Sequence, residues 1–241
     1  MKTDNTEYKL EDSLARIDEI LKAEDCSYEE KDSIPPREQL TFTNGFYVNC
    51  SALFVDIRKS SELTDFHKNR VLAKLYRAYI SEVAAVINGN STCKELDVVG
   101  DCVSGIFDTP YESDINGVFA TAFTVTSLID ILNYKLRVNK IREITVGIGA
   151  AYGRALMVKA GYQGSGINEV VWMGNVVNEA SKLGSYGNRE LYDREIMVSE
   201  VFFNNLSDEN KKLLEKNIYR NCYHGNVVNS AMNDWYKQNC K

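Results

Sequence analysis

KELDVVGDCVSGIF, residues 94–107, is the stretch on which the fold turns. It reads as a hairpin, with Cys93 to Val99 running out, Gly100 and Asp101 at the tip, and Cys102 to Phe107 running back. Successive strand residues face opposite sides, so Leu96 and Val98 share one face while Asp97, Val99 and Asp101 share the other. One face is suited to a core and the other carries acids. Carboxylates in a segment that otherwise reads as protein interior call for a counter-charge.

Upstream, YVNCSALFV (47–55) alternates and then turns apolar, as a buried strand does, and it ends in Asp56. Ser60 or Ser61 can then cap a long helix with Leu63, Phe66, Val71, Leu75 and Val83 on its apolar stripe. Downstream, Asp114 to about Val138 forms a second long helix, and ITVGIGAAYG (144–153) a strand whose glycines permit close backbone approach. A short strand RALMV, a glycine-rich loop AGYQGSG and a strand EVVWM follow. After Gly174, NVVNEASKL can form a helix with Asn178 and Lys182 on one face. A strand EIMVS and a weakly helical, polar tail complete the chain. At the N-terminal end, residues 7–24 place Leu10, Leu14, Ile17, Ile20 and Leu21 at helical spacing, which suits a helix laid on the core or one that pairs two chains. Pro35 and Pro36 close that leader. The expected organisation is a helical leader (1–45), a main domain (46–200) and an extension that completes it (201–241). The element order predicts an α+β fold, with helices segregated against a mainly antiparallel sheet.

The 241 residues, 44% of them apolar, allow one substantial core, and a net charge of -6 argues against a general grip on nucleic acid or an anionic membrane. A phosphate ligand would have to be held locally, by metal or a few cations. The N-terminus lacks a signal-peptide pattern and no run is expected to reach a membrane span, so a cytoplasmic location is the simplest expectation. Six cysteines without a CxxC pair are expected to be reduced and structural. His67 and His224 are the only histidines, too few for a zinc site or a His-driven triad, and are expected to be solvated.

Asp56 at a strand end and Asp101 at a hairpin tip can meet at one sheet edge if their strands are neighbours. Two close carboxylates repel unless something positive lies between them, and hard oxygen ligands select magnesium or manganese. Taken singly, each acid has a simpler reading as a turn residue. IRKSS (57–61) adds backbone N–H groups, the cation Arg58 and the hydroxyls of Ser60 and Ser61, a set suited to a polyphosphate. Asn178 could serve a ribose and Lys182 a developing charge on phosphorus, although spacing alone favours an ordinary polar helix face.

LFVDIRKSS, KELDVVGDCVSGIF, ITVGIGAAYG and VWMGNVVNEASKL, in this order and at these separations, resemble the successive motifs of class III nucleotidyl cyclase catalytic domains over roughly residues 46–200. The serine-rich IRKSS and the altered base-reading positions look closest to the pyrimidine nucleotide cyclases of the bacterial Pycsar antiphage system. The resemblance implies a ferredoxin-like βαββαβ sheet, with Asp56 and Asp101 as metal ligands together with the carbonyl of Ile57. It implies two Mn2+ or Mg2+ ions per site, Asn178 orienting the ribose, and Lys182 where the family usually has arginine. It further implies a head-to-tail homodimer with shared sites. Adenylyl cyclases of this family carry lysine at the position of Asp97 and aspartate at that of Val171, so both adenine readers are missing here. An acid at 97 can accept the N3–H of uracil, the amine of cytosine, or the N1–H and N2 amine of guanine. The resemblance favours a pyrimidine, and UTP to cyclic UMP is the expected reaction because uridylate cyclases are the commoner kind. CTP, GTP and an inactive nucleotide-binding module are the alternatives. The implied role is to make an antiviral second messenger read by a separate effector. No lysine beyond residue 200 can be matched to the family's triphosphate-binding one.

Overall fold

The structure, a computed structural model, describes residues 7–22, 28–162 and 169–240. Helix α1 (Leu10–Leu21) stands first, with all of its apolar residues exposed. Strand β1 (Tyr28–Glu30) follows and pairs in parallel with the start of β2 (Gly45–Ile57). A one-turn helix α2 (Leu63–Phe66) and the long α3 (Asn69–Asn88) lead to the hairpin β3 (Cys93–Val99) and β4 (Cys102–Asp108). Next come α4 (Glu112–Val138), β5 (Val146–Ala160), β6 (Glu169–Met173) and α5 (Asn175–Tyr186). The chain closes with β7 (Ile196–Val198), α6 (Glu200–Asn204), α7 (Asp208–Lys211), β8 (Glu215–Asn217), β9 (Cys222–Gly225) and α8 (Ser230–Asn239).

The strands form one sheet in the order β3-β4-β2-β5-β7-β9-β8, with β6 alongside the far end of β5. β2 lies between antiparallel neighbours β4 and β5, and β2-α3-β3-β4-α4-β5 is the expected βαββαβ unit. Strand alternation splits the core in two. Leu53, Val55, Val103 and Ile148 face α3 and α4 on one side. Cys50, Ala52, Ile106 and Ala151 face α5 and the segment around Ile34 and Leu40 on the other. α3 forms because Leu72, Leu75, Tyr79, Val83 and Ile87 recur at helical spacing, and all five are buried.

Several expectations need correction. IRKSS does not open the long helix: Lys59 is left-handed (φ 54°), Ser60–Glu62 form a 3-10 turn without a side-chain cap, and His67 breaks α2 from α3 in extended conformation. Phe66 is exposed, with Arg142 stacked 3.8 Å from its ring centroid. ITVGIGAAYG and RALMV are one continuous strand, because β2 pairs with it along its whole length from Val146 to Val158. The polar tail supplies two strands and an edge to the sheet. The leader is not helical throughout, since Ile34 and Leu40 pack into the second core. Most of AGYQGSG and residues 23–24 lie outside the described residues. His224 is not solvated, being buried 3.1 Å from Asn217, whereas His67 stays partly exposed and accepts from the Arg142 N–H at 2.9 Å. α4 is long and apolar enough, at a mean hydropathy of 1.6, to cross a membrane by composition. Its apolarity has another use here, for Ile115, Phe119, Val125 and Ile129 are buried against the sheet.

Candidate active site

Val55 pairs with Val103, and this register carries the end of β2 alongside the Gly100-Asp101 turn. Gly100 is needed for its conformation, φ 63°, rather than for space. The result is that the carboxyls of Asp56 and Asp101 lie within hydrogen-bonding reach of each other. Burial pushes the Asp56 pKa up, the Arg58 guanidinium pulls it back, and the Asp101 charge raises it again. Asp101 Oδ2 is buried without a hydrogen-bond partner. Two adjoining carboxylates with an unpaired buried oxygen are a donor set that a divalent cation satisfies. Among the described residues no three His, Cys, Asp or Glu side chains gather around a metal position. Further ligands would therefore be oxygens of backbone or substrate. Ile57 can offer only its carbonyl, since its side chain is in the core. Cys102, beside both acids, is held as a thiol: burial, then Asp56 and Asp101, push its pKa up to about 12.

The arginine of IRKSS is already engaged. Arg58 ion-pairs with the Asp56 carboxylate and donates to the Ser185 carbonyl at 2.6 Å, which ties the strand end to α5. Ser60 shares a hydrogen bond with Tyr76, whose phenol is pushed up by burial and then by the Asp101 charge. Ser60 thus joins the α3 residue that feels the Asp101 charge, whereas Ser61 is exposed and its carbonyl accepts from Thr64. Tyr76 was not anticipated, though its helical spacing from Leu72 and Tyr79 would have placed it on the sheet-facing side of α3.

α5 lies on the other side of the sheet, held close by glycines. A Cβ on Gly149 would collide with the Ala180 carbonyl and the Gly184 nitrogen. Val176, Ala180 and Leu183 are buried beneath the helix, so Asn178 and Lys182 project away from the sheet into solvent. The charges bearing on Asp56 are Arg58 and Asp101, and Lys182 is not one of them. Within one chain, then, the structure brings Asp56, Asp101 and Arg58 together and leaves Asn178 and Lys182 apart from them.

Asp97 pairs with Ser104, on the same sheet face as Phe54 and Asp56, and is exposed. Beside it Glu95, two residues earlier on that face, forms an ion pair with Arg37 at 3.2 Å. The alternation that singled out Asp97 applies equally to Glu95. Val171 pairs with Val158 and points to the side opposite Val170 and Trp172, which join the second core.

The family described as Adenylate and Guanylate cyclase catalytic domain matches residues 43–220. A protein of Gulbenkiania mobilis named uridylate cyclase is 40% identical, over 99% of this chain and 100% of its own. A uridylate cyclase of Treponema porcinum is 38% identical, over 95% of this chain and 80% of its own. Among solved structures, the adenylyl cyclase CyaB from P. aeruginosa superposes with a TM-score of 0.61 at 20% identity, covering 71% of this chain and 85% of that one. With the fold and the paired aspartates already in place, these likenesses settle the family: the chain belongs to the class III nucleotidyl cyclases, within the adenylate and guanylate cyclase catalytic domain family.

Proposed function

We propose that this cyclase acts on UTP, joining the 3'-hydroxyl oxygen to the α-phosphorus. The bond from that phosphorus to the α,β-bridging oxygen breaks, pyrophosphate leaves, and the hydroxyl proton is released, giving 3',5'-cyclic UMP. The observation that carries the reading is the full-length similarity to two uridylate cyclases. The meeting of Asp56 with Asp101 supports the same chemistry. Bound divalent cations, two Mn2+ or Mg2+ per site, would lower the pKa of the 3'-hydroxyl and neutralise the triphosphate. Asp56, Asp101 and the Ile57 carbonyl would hold them. Arg58 keeps Asp56 oriented, and Ser60 lies where a phosphate oxygen could accept its proton.

Asn178 and Lys182 point away from the sheet that bears the aspartates, so they would serve a second subunit's acids. This favours a head-to-tail homodimer with two shared sites. Lysine at 182 offers a point charge where arginine would give a fork, and so positions the charge less rigidly. Asp97 would read the base, accepting from the uracil N3–H. In this reading the product is a second messenger for antiviral defence, taken up by a separate effector.

The test is incubation of the purified protein with ATP, GTP, CTP and UTP and manganese, with products resolved chromatographically. Cyclic UMP as the main product is expected. Cyclic CMP or cyclic GMP in its place would reassign the base, and no product from any substrate would leave a nucleotide-binding module.

A further inference from the structure

Arg37 lies outside the residues matched by the family, 43–220. It comes from the leader, yet it reaches β3, the strand that carries Asp97. Its Nε lies 3.2 Å from Glu95 on β3, two residues from Asp97 and on the same face. It also lines a cleft of about 260 Å3 with Leu40, Lys159 and Val170, on the side of β6 away from Val171. The Glu95 side chain is only 13% exposed. Burial, opposed by Arg37 and reinforced by Asp97 and then Glu169, pushes its pKa up. Glu95 and Asp97 thus share one face of β3, with the Arg37 guanidinium paired to the first of them.

A fold-stabilising role does not account for this pair. Arg37 itself is 51% exposed, so water screens its half of the pair and weakens its contribution to stability. The segment is already anchored without it, by buried Ile34 and Leu40 and by the Ile34 N–H and Ser33 hydroxyl donating to Asp108. We infer that Arg37 is a positioning residue for base selection, acting through Glu95 to fix the Asp97 carboxylate and so to set the choice between uracil and cytosine. The inference rests on the proposed reading of Asp97 as the base-reading residue.

Steady-state kinetics with UTP and CTP on wild type, Arg37→Met, Arg37→Lys, Glu95→Gln and the Arg37→Met/Glu95→Gln double variant test it, alongside melting temperatures. Arg37→Met should raise the KM for UTP by about five- to tenfold with kcat within about twofold, and lower the UTP-over-CTP preference. Arg37→Lys should recover most of the loss, and the double variant should be no worse than the worse single one. An unchanged KM and preference in Arg37→Met overturns the inference. So does a loss of kcat that follows a fall in melting temperature, or a double variant whose losses simply add. A wild type that yields no cyclic nucleotide removes the functional reading itself, and this inference with it. An active wild type beside an indifferent Arg37→Met removes only the inference.

Discussion

At the scale of the residue, the site is a local conflict that the fold tolerates. Burial and Asp101 both push the Asp56 carboxyl towards its protonated form, and Arg58 alone pulls it back. An arrangement that is unfavourable in the bare protein and useful with a cation is a common mark of a functional site. Replacing Asp56 or Asp101 with alanine should lower turnover by about a thousandfold or more, since each change removes a ligand oxygen that no neighbour replaces. The melting temperature should hold or rise, because a like-charge contact is relieved. Activity near wild type in either variant would remove the metal assignment. Asp56 and Asp101 were legible from a strand end and a turn. The engagement of Arg58 with Asp56 and the Ser185 carbonyl was not, because Ser185 lies 127 residues away in the chain.

At the scale of the element, glycines set the distance between α5 and the sheet. Gly147 and Gly149 on β5 face the backbone of Gly184 and Gly187, so the helix rests almost on the strand. Gly149→Ala must push the helix outward, and should cost about 3 kcal/mol of stability. It should also lower activity beyond that loss, because Asn178 and Lys182 move with the helix. Gly153→Ala is the control: its Cβ would meet only the Val176 side chain at 3.7 Å, and denaturant melts should show it close to wild type. Equal behaviour of the two variants would mean that the close approach has no consequence. The glycine-rich strand was visible in ITVGIGAAYG. What remained hidden was the break between α2 and α3: the apolar spacing runs on through His67, and the Arg142 N–H donates to that histidine from a distant part of the chain.

At the scale of the whole molecule, one chain carries acids at the end of β2 and the β3–β4 turn and exposed polar groups on the outer side of α5, which the proposed reading takes as two half-sites. Two copies arranged head to tail would complete each other. Mixing Asp56→Ala with Lys182→Ala, each inactive alone, should restore up to about a quarter of wild-type activity, from heterodimers with one intact site. No recovery despite proven subunit exchange would count against shared sites. By itself the sequence determined the main strands and helices of the central unit, the hairpin and its acidic face, and the residue types for phosphate chemistry, because these follow from periodicity and short spacings within a few residues. Only the tertiary structure decided that Asp56 and Asp101 touch, that Arg58 serves Asp56 and that the leader's Arg37 reaches β3. Those contacts join segments far apart in the chain, and the packing that brings them together leaves no local pattern to read.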